Sequence, residues 1–67
     1  MSPMEVHTVV NRVRSEFIEM PGLRLTVRQA TRLWGLERSA CEHVIDVLVR
    51  SAFLRWIPAG MVARIEM

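Results

Sequence analysis

Arginine is the residue type best equipped for chemistry in this chain. All nine basic residues are arginine, and none is lysine. A guanidinium presents a planar fork of N–H donors that matches phosphate oxygens. Three of the nine, Arg24, Arg28 and Arg32, fall within residues 23–36, a stretch with no acidic residue. A spacing of four puts Arg28 and Arg32 one helical turn apart on one face. Two readings stand side by side. The cluster is a phosphate-contacting surface, or it is a solvated face that keeps a small domain soluble. The missing lysine is also accounted for by the codon usage of a GC-rich genome.

Other reactive residues make weaker constellations. Cys41-Glu42-His43 places two metal-type ligands close together, and His7 is the only other histidine. A structural zinc site normally takes four ligands, and Cys41 falls on an apolar stripe, so it reads as a core residue. Ser39, His43 and Asp46 occupy one helix, which does not aim three side chains at one point. The chain contains no glycine-rich phosphate loop, nucleophile elbow or HExxH spacing. The expectation is a protein without catalytic residues, metal or cofactor.

These residues must be positioned by a small frame. The chain has 67 residues, enough for one core, and residues 1–67 read as a single domain. It is 51% hydrophobic and 24% charged, which suits a globular fold and argues against disorder. No apolar run approaches the roughly 20 residues that span a bilayer, so no membrane association is expected. Ser2-Pro3-Met4-Glu5 lacks the layout of a secretory signal. A single cysteine cannot form an internal disulfide, and the expected location is the reducing cytoplasm. The net charge is +2, unevenly spread. Residues 1–22 carry two arginines against three acids, residues 37–52 the same, and residues 53–67 two against one.

Local signals predict the elements. Ser2, Pro3 and Glu5 form a helix start with a capping box. Val6, Val10, Val13, Phe17 and Met20 then recur at helical spacing, with Arg12, Ser15, Glu16 and Glu19 facing away. Pro21-Gly22 ends this helix. Leu23-Arg24-Leu25 alternates and reads as a short third strand at 23–25. Thr26 and Gln29 make a second capping box, opening a helix at 27–34 that Gly35 closes. A third helix over 38–52 buries Cys41, Val44, Ile45, Leu48 and Ala52, and pairs charges along Arg38, Glu42, Asp46 and Arg50. Phe53–Ile57 and Met61–Ile65 flank Pro58-Ala59-Gly60 as a hairpin at 53–65. The expected fold is mainly α, with three helices at 3–20, 27–34 and 38–52 followed by the hairpin. The expected core is Val13, Phe17, Leu33, Leu36, Cys41, Val44, Leu48 and Leu54. Trp34 belongs with it, whereas alternation with Arg55 and Ile57 leaves Trp56 partly exposed.

Gly35-Leu36-Glu37-Arg38-Ser39-Ala40-Cys41, followed by Val44-Ile45, Leu48 and Phe53-Leu54, resembles the winged helix-turn-helix pattern of bacterial MarR-like regulators. The likeness runs from the second helix through the hairpin. Glu37 and Ala52 replace the usual cap and the helix-ending glycine, and Trp34 adds a residue before Gly35. The resemblance implies that the third helix lies in a DNA major groove with the hairpin as its wing. On that basis Arg38, Ser39, Ala40, Glu42 and His43 approach bases. Thr26 and Arg28 touch phosphate, and Arg55 and Arg64 sit on the wing; the arginine cluster adds Arg32 as a further phosphate contact. Glu37, Glu42 and Asp46 put three acids on the DNA-facing helix, where phosphate repels them.

Two functions follow from different features. The first is a small DNA-binding transcriptional regulator acting as a homodimer on duplex DNA. Val9 and Ile18, apolar and off the main stripe of the first helix, are its candidate dimer interface. The second is a protein-interaction module on the same scaffold that does not bind DNA, favoured by the acidic face of the third helix.

Overall fold

The computed structural model describes residues 2–65. Helix α1 (Pro3–Glu19) is followed by strand β1 (Arg24–Thr26), helices α2 (Val27–Trp34) and α3 (Arg38–Arg50), and strands β2 (Leu54–Ile57) and β3 (Met61–Arg64). The result is three helices and a three-stranded antiparallel sheet, mainly helical. None of the helices is long and apolar enough to cross a membrane among the described residues.

The helix starts follow their capping signals. Ser2 Oγ accepts from the Glu5 N–H and Glu5 Oε2 accepts from the Ser2 N–H, both at 3.3 Å. Thr26 and Gln29 exchange the same reciprocal bonds at 3.0 and 3.1 Å. These bonds satisfy N–H groups that have no partner within the helix. Helix α2 ends at Gly35, at φ 67°, and the Leu36 N–H donates back to the Thr31 carbonyl at 3.2 Å.

Helix α3 stops at Arg50 rather than running to Ala52. Ala52 adopts φ 60°, its N–H donates to the Val49 carbonyl, and the Phe53 N–H donates to the Leu48 carbonyl. This is the two-bond left-handed termination that glycine usually makes. Ala52 is therefore exposed instead of lying on the buried stripe.

The sheet order is β1-β3-β2, so the short strand adds to the hairpin on its β3 side. It spans 24–26 rather than 23–25, and Thr26 both ends it and caps α2. Register pairs Arg24 and Arg55 with Ala63, and Leu25 and Trp56 with Val62. Alternation turns Leu25, Val62 and Leu54 inward. They meet Val10, Val13 and Phe17 of α1, Ala30 and Trp34 of α2, and Cys41, Val44, Ile45 and Leu48 of α3.

Two expected core residues lie elsewhere. Leu33 is 53% exposed and Leu36 only half-buried. Ala30 and Trp34, four residues apart, take the buried side of this eight-residue helix, and Leu33, about 100° round from Trp34, points outward. The Trp34 Nε1–H donates to Glu16 Oε2 at 2.9 Å, and its carbonyl accepts from Arg12 Nη2 at 2.9 Å. Arg12 and Glu16 thus do not simply face solvent; they fasten the end of α2 to α1. Met20 is 50% exposed beyond the end of α1 and leaves the stripe.

Candidate nucleic-acid interface

Opposite its buried stripe, α3 presents Ser39, His43 and Asp46 at successive turns, all exposed. A concave surface runs from this side of the helix to the edge strand β2. It is lined by Arg38, Ser39, Glu42, His43 and Asp46, with Trp56 and Val27 forming the far wall. Trp56 is in register with buried Val62, so it lies on the inner side of the sheet, but its edge position leaves it 49% exposed in this groove. The groove therefore joins the start of α2, the outer side of α3 and strand β2.

Charge within the groove is internally paired. Arg38 Nε meets Glu42 Oε1 at 2.8 Å, and Arg50 Nε meets Asp46 Oδ2 at 3.0 Å. The side chains of these pairs are more than half exposed, so the pairs add little stability. Their effect is electrostatic: Glu42 and Asp46 are each matched by an arginine one turn away, whereas Glu37, the N-cap of α3, is exposed and has no ion-pair partner among the described residues. Arg38 is engaged through Nε alone, with no partner recorded for its two Nη groups among the described residues.

The expected phosphate-contacting residues separate into three places. Arg28 and Arg32 stand exposed on the outer side of α2, one turn apart. Thr26 Oγ1 accepts the Gln29 N–H as a cap, leaving only its hydroxyl proton to donate elsewhere. Arg55 is not in the groove. It shares register with Ala63 and Arg24 and projects from the outer face of the sheet, the side away from Trp56. Arg64 alternates to the other side, where its guanidinium lies 5.6 Å from the centre of the Phe53 ring. Arg14 of α1 approaches the same ring at 5.2 Å.

The outer sheet face forms a second concave surface, lined by Arg24, Arg55, Ile57, Pro58 and Ala63 together with the Pro21-Gly22 turn. Arg24 belonged by sequence to one cluster with Arg28 and Arg32; the fold splits that cluster between sheet and helix. The alternation Leu23-Arg24-Leu25 signals which way Arg24 points, but its neighbour Arg55 lies 31 residues along the chain and is brought beside it only through β3.

Charge is also partitioned by element. The acids at positions 5, 16, 19, 37, 42 and 46 sit on α1 or at the start and outer side of α3. Residues 23–36 and 53–65, which supply α2 and all three strands, contain five arginines and no acid.

The remaining candidates fall apart in space. Cys41 is buried, with its thiol 4.0 Å from the Val27 carbonyl, while His43 is exposed. Burial, and secondarily the Glu42 carboxylate, push the thiol above its ordinary value. Val9 packs partly buried against the core, whereas Ile18 is 51% exposed. Nine residues of helix turn through two and a half turns, so the two point to opposite sides of α1. The side bearing Ile18 also carries His7, Asn11 and Ser15, all exposed.

Comparison with protein-family models, with curated proteins and with solved structures finds no match to this chain.

Proposed function

We propose that this chain is a DNA-binding protein of winged helix-turn-helix architecture that serves as a transcriptional regulator. Helix α3 lies along the duplex, the β2–β3 hairpin stands beside it as the wing, and α2 supplies phosphate contacts. One observation carries the reading: α2 brings Arg28 and Arg32 and no acid of its own, while Glu42 and Asp46 of α3 are each matched by an arginine one turn away. Element order supports it, since helix, strand, helix, helix and hairpin is the order that architecture uses. Arg28 and Arg32 contact phosphate, and Ser39, His43 and Arg38 approach base edges. Phosphate contacts position the protein without reading sequence.

The test is binding of random and site-selected duplexes across a salt series. Each lost phosphate contact flattens the slope of log affinity against log salt by about 0.9. Arg28→Ala and Arg32→Ala should each do so, weakening all duplexes alike. Arg38→Ala should relax sequence preference at a cost of about 1–3 kcal/mol. A regulator of this kind reads two half-sites as a homodimer, which light scattering of the full chain measures directly.

A second reading has its own observation. Trp56 is 49% exposed in a groove whose ionised groups are already paired, a surface suited to a protein partner. No duplex binding at low salt would make that interaction module the better account.

A further inference from the structure

We infer that the outer face of the sheet is a second phosphodiester-binding surface, separate from the α3 groove, which lets one copy of the domain hold two nucleic-acid backbone segments. The inference draws on the nucleic-acid reading above for the class of its ligand, but it uses different residues. Arg24 and Arg55 both pair with Ala63, so the two guanidinium-bearing side chains leave the same sheet face on either side of a methyl group. Two strand spacings separate them, roughly 10 Å between Cα atoms. That separation lets the two forks reach different phosphates of one backbone. Ala63 offers only that methyl group, too small to hold the backbone off the sheet. Both arginines are exposed, neither takes part in an ion pair among the described residues, and no acid lines the surface among those residues.

The contrast with α3 argues for phosphate here. On α3, Arg38 and Arg50 are held by Glu42 and Asp46, so part of their attraction for an anion is already used. On the sheet the two forks are unopposed, and an arginine fork suits bidentate contact with phosphate oxygens. Strand β2 divides the two surfaces. Trp56 points into the α3 groove, and Arg55, one residue earlier, points to the opposite face. A duplex seated on α3 therefore leaves Arg24 and Arg55 to a second segment.

The experiment uses the full chain with donor- and acceptor-labelled random duplexes in one mixture. Affinity is followed across salt, and energy transfer reports duplexes brought together. Arg24→Ala/Arg55→Ala should lower the log–log slope by about 1.8. It should also remove the energy transfer while single-duplex binding persists. Arg24→Lys/Arg55→Lys should restore most of the slope, which separates loss of charge from loss of fold. A double alanine variant with the wild-type slope and transfer overturns the inference and leaves the α3 reading standing. The converse pattern, loss of all binding in this variant with none in Arg28→Ala/Arg32→Ala, overturns the two-segment inference and the α3 reading together, leaving the sheet as the single binding surface. Binding that depends on Arg24 and Arg55 for polyglutamate but not for duplex overturns the phosphodiester assignment in favour of an acidic protein. A wild-type chain that binds no duplex at low salt removes both.

Discussion

Replacing Ala52 by glycine should stabilise this protein, although alanine is the better residue in nearly every other helical setting. Ala52 sits at φ 60°, just past the end of α3, in the left-handed region. There an L side chain places Cβ too near the following carbonyl, at a cost of about 1–2 kcal/mol that glycine does not incur. Glycine also makes the unfolded chain more flexible, which offsets about 0.4–1 kcal/mol. The net expectation is a gain of about 0.5–1 kcal/mol. For a domain of this size that corresponds to roughly 2–8 °C in Tm. Both backbone bonds of the terminator, Ala52 N–H to Val49 and Phe53 N–H to Leu48, stay available to glycine. Helical circular dichroism on heating is sufficient to measure the shift. Ala40→Gly is the control, because Ala40 lies inside α3, where glycine costs about 1 kcal/mol relative to alanine. Gly35→Ala is the mirror case: at φ 67°, with no atom within 4 Å of an added Cβ, any loss is backbone strain and not collision. The reasoning predicts opposite signs for Ala52→Gly and Ala40→Gly. A fall in Tm for both would refute the left-handed termination of α3.

Other perturbations test the packing and the buried thiol. Leu48 is fully buried, so Leu48→Ala should cost about 2–5 kcal/mol and shift the denaturant midpoint accordingly. Trp34→Phe removes the N–H that reaches Glu16 and should cost at least the roughly 1.5–3 kcal/mol of a charge-assisted bond, whereas Glu16→Gln keeps an acceptor and should cost less, by the same midpoint. The folded Cys41 thiol is raised by burial, and then by Glu42, above its ordinary 9.0. A raised acid favours the folded state while neutral, so its contribution is full below about pH 9 and is lost as pH rises through the folded value. The chain has no lysine or tyrosine side chain to titrate there. Unfolding free energy should therefore fall above pH 9 by up to about 1.4 kcal/mol per pH unit in the wild type, and stay flat in Cys41→Ala.

Much of the fold was legible because its signals are local. Ser2 with Glu5, and Thr26 with Gln29, satisfy helix N–H groups within three residues, so the two capping boxes are written in the chain itself. Gly35 and the Pro58-Ala59-Gly60 turn are equally short-range, and the stripe Cys41, Val44, Ile45 and Leu48 needs only helical periodicity. The candidate site was less legible. Arg24, Arg28 and Arg32 look like one cluster along the chain, yet a strand-to-helix change at Thr26 sends Arg24 to the sheet and the other two to α2. Leu33 looked like core because apolar spacing allows it; the size of Trp34 and its partner Glu16 decided which of two neighbours was buried.

Local signals in the chain suffice to place the helix starts and the turns, the apolar side of each strand, and the confinement of the acids to residues outside 23–36 and 53–65. Which arginines meet depends on long-range strand pairing. Register through β3 places Arg55 beside Arg24 across Ala63, and the edge position of β2 turns Trp56 toward α3. Strand pairing joins residues far apart in the chain, and a one-residue slip would exchange the two faces. No local propensity encodes that choice. It is settled when Leu25, Val62 and Leu54 must all reach the same core, which forces Arg24 and Arg55 out together on the other side.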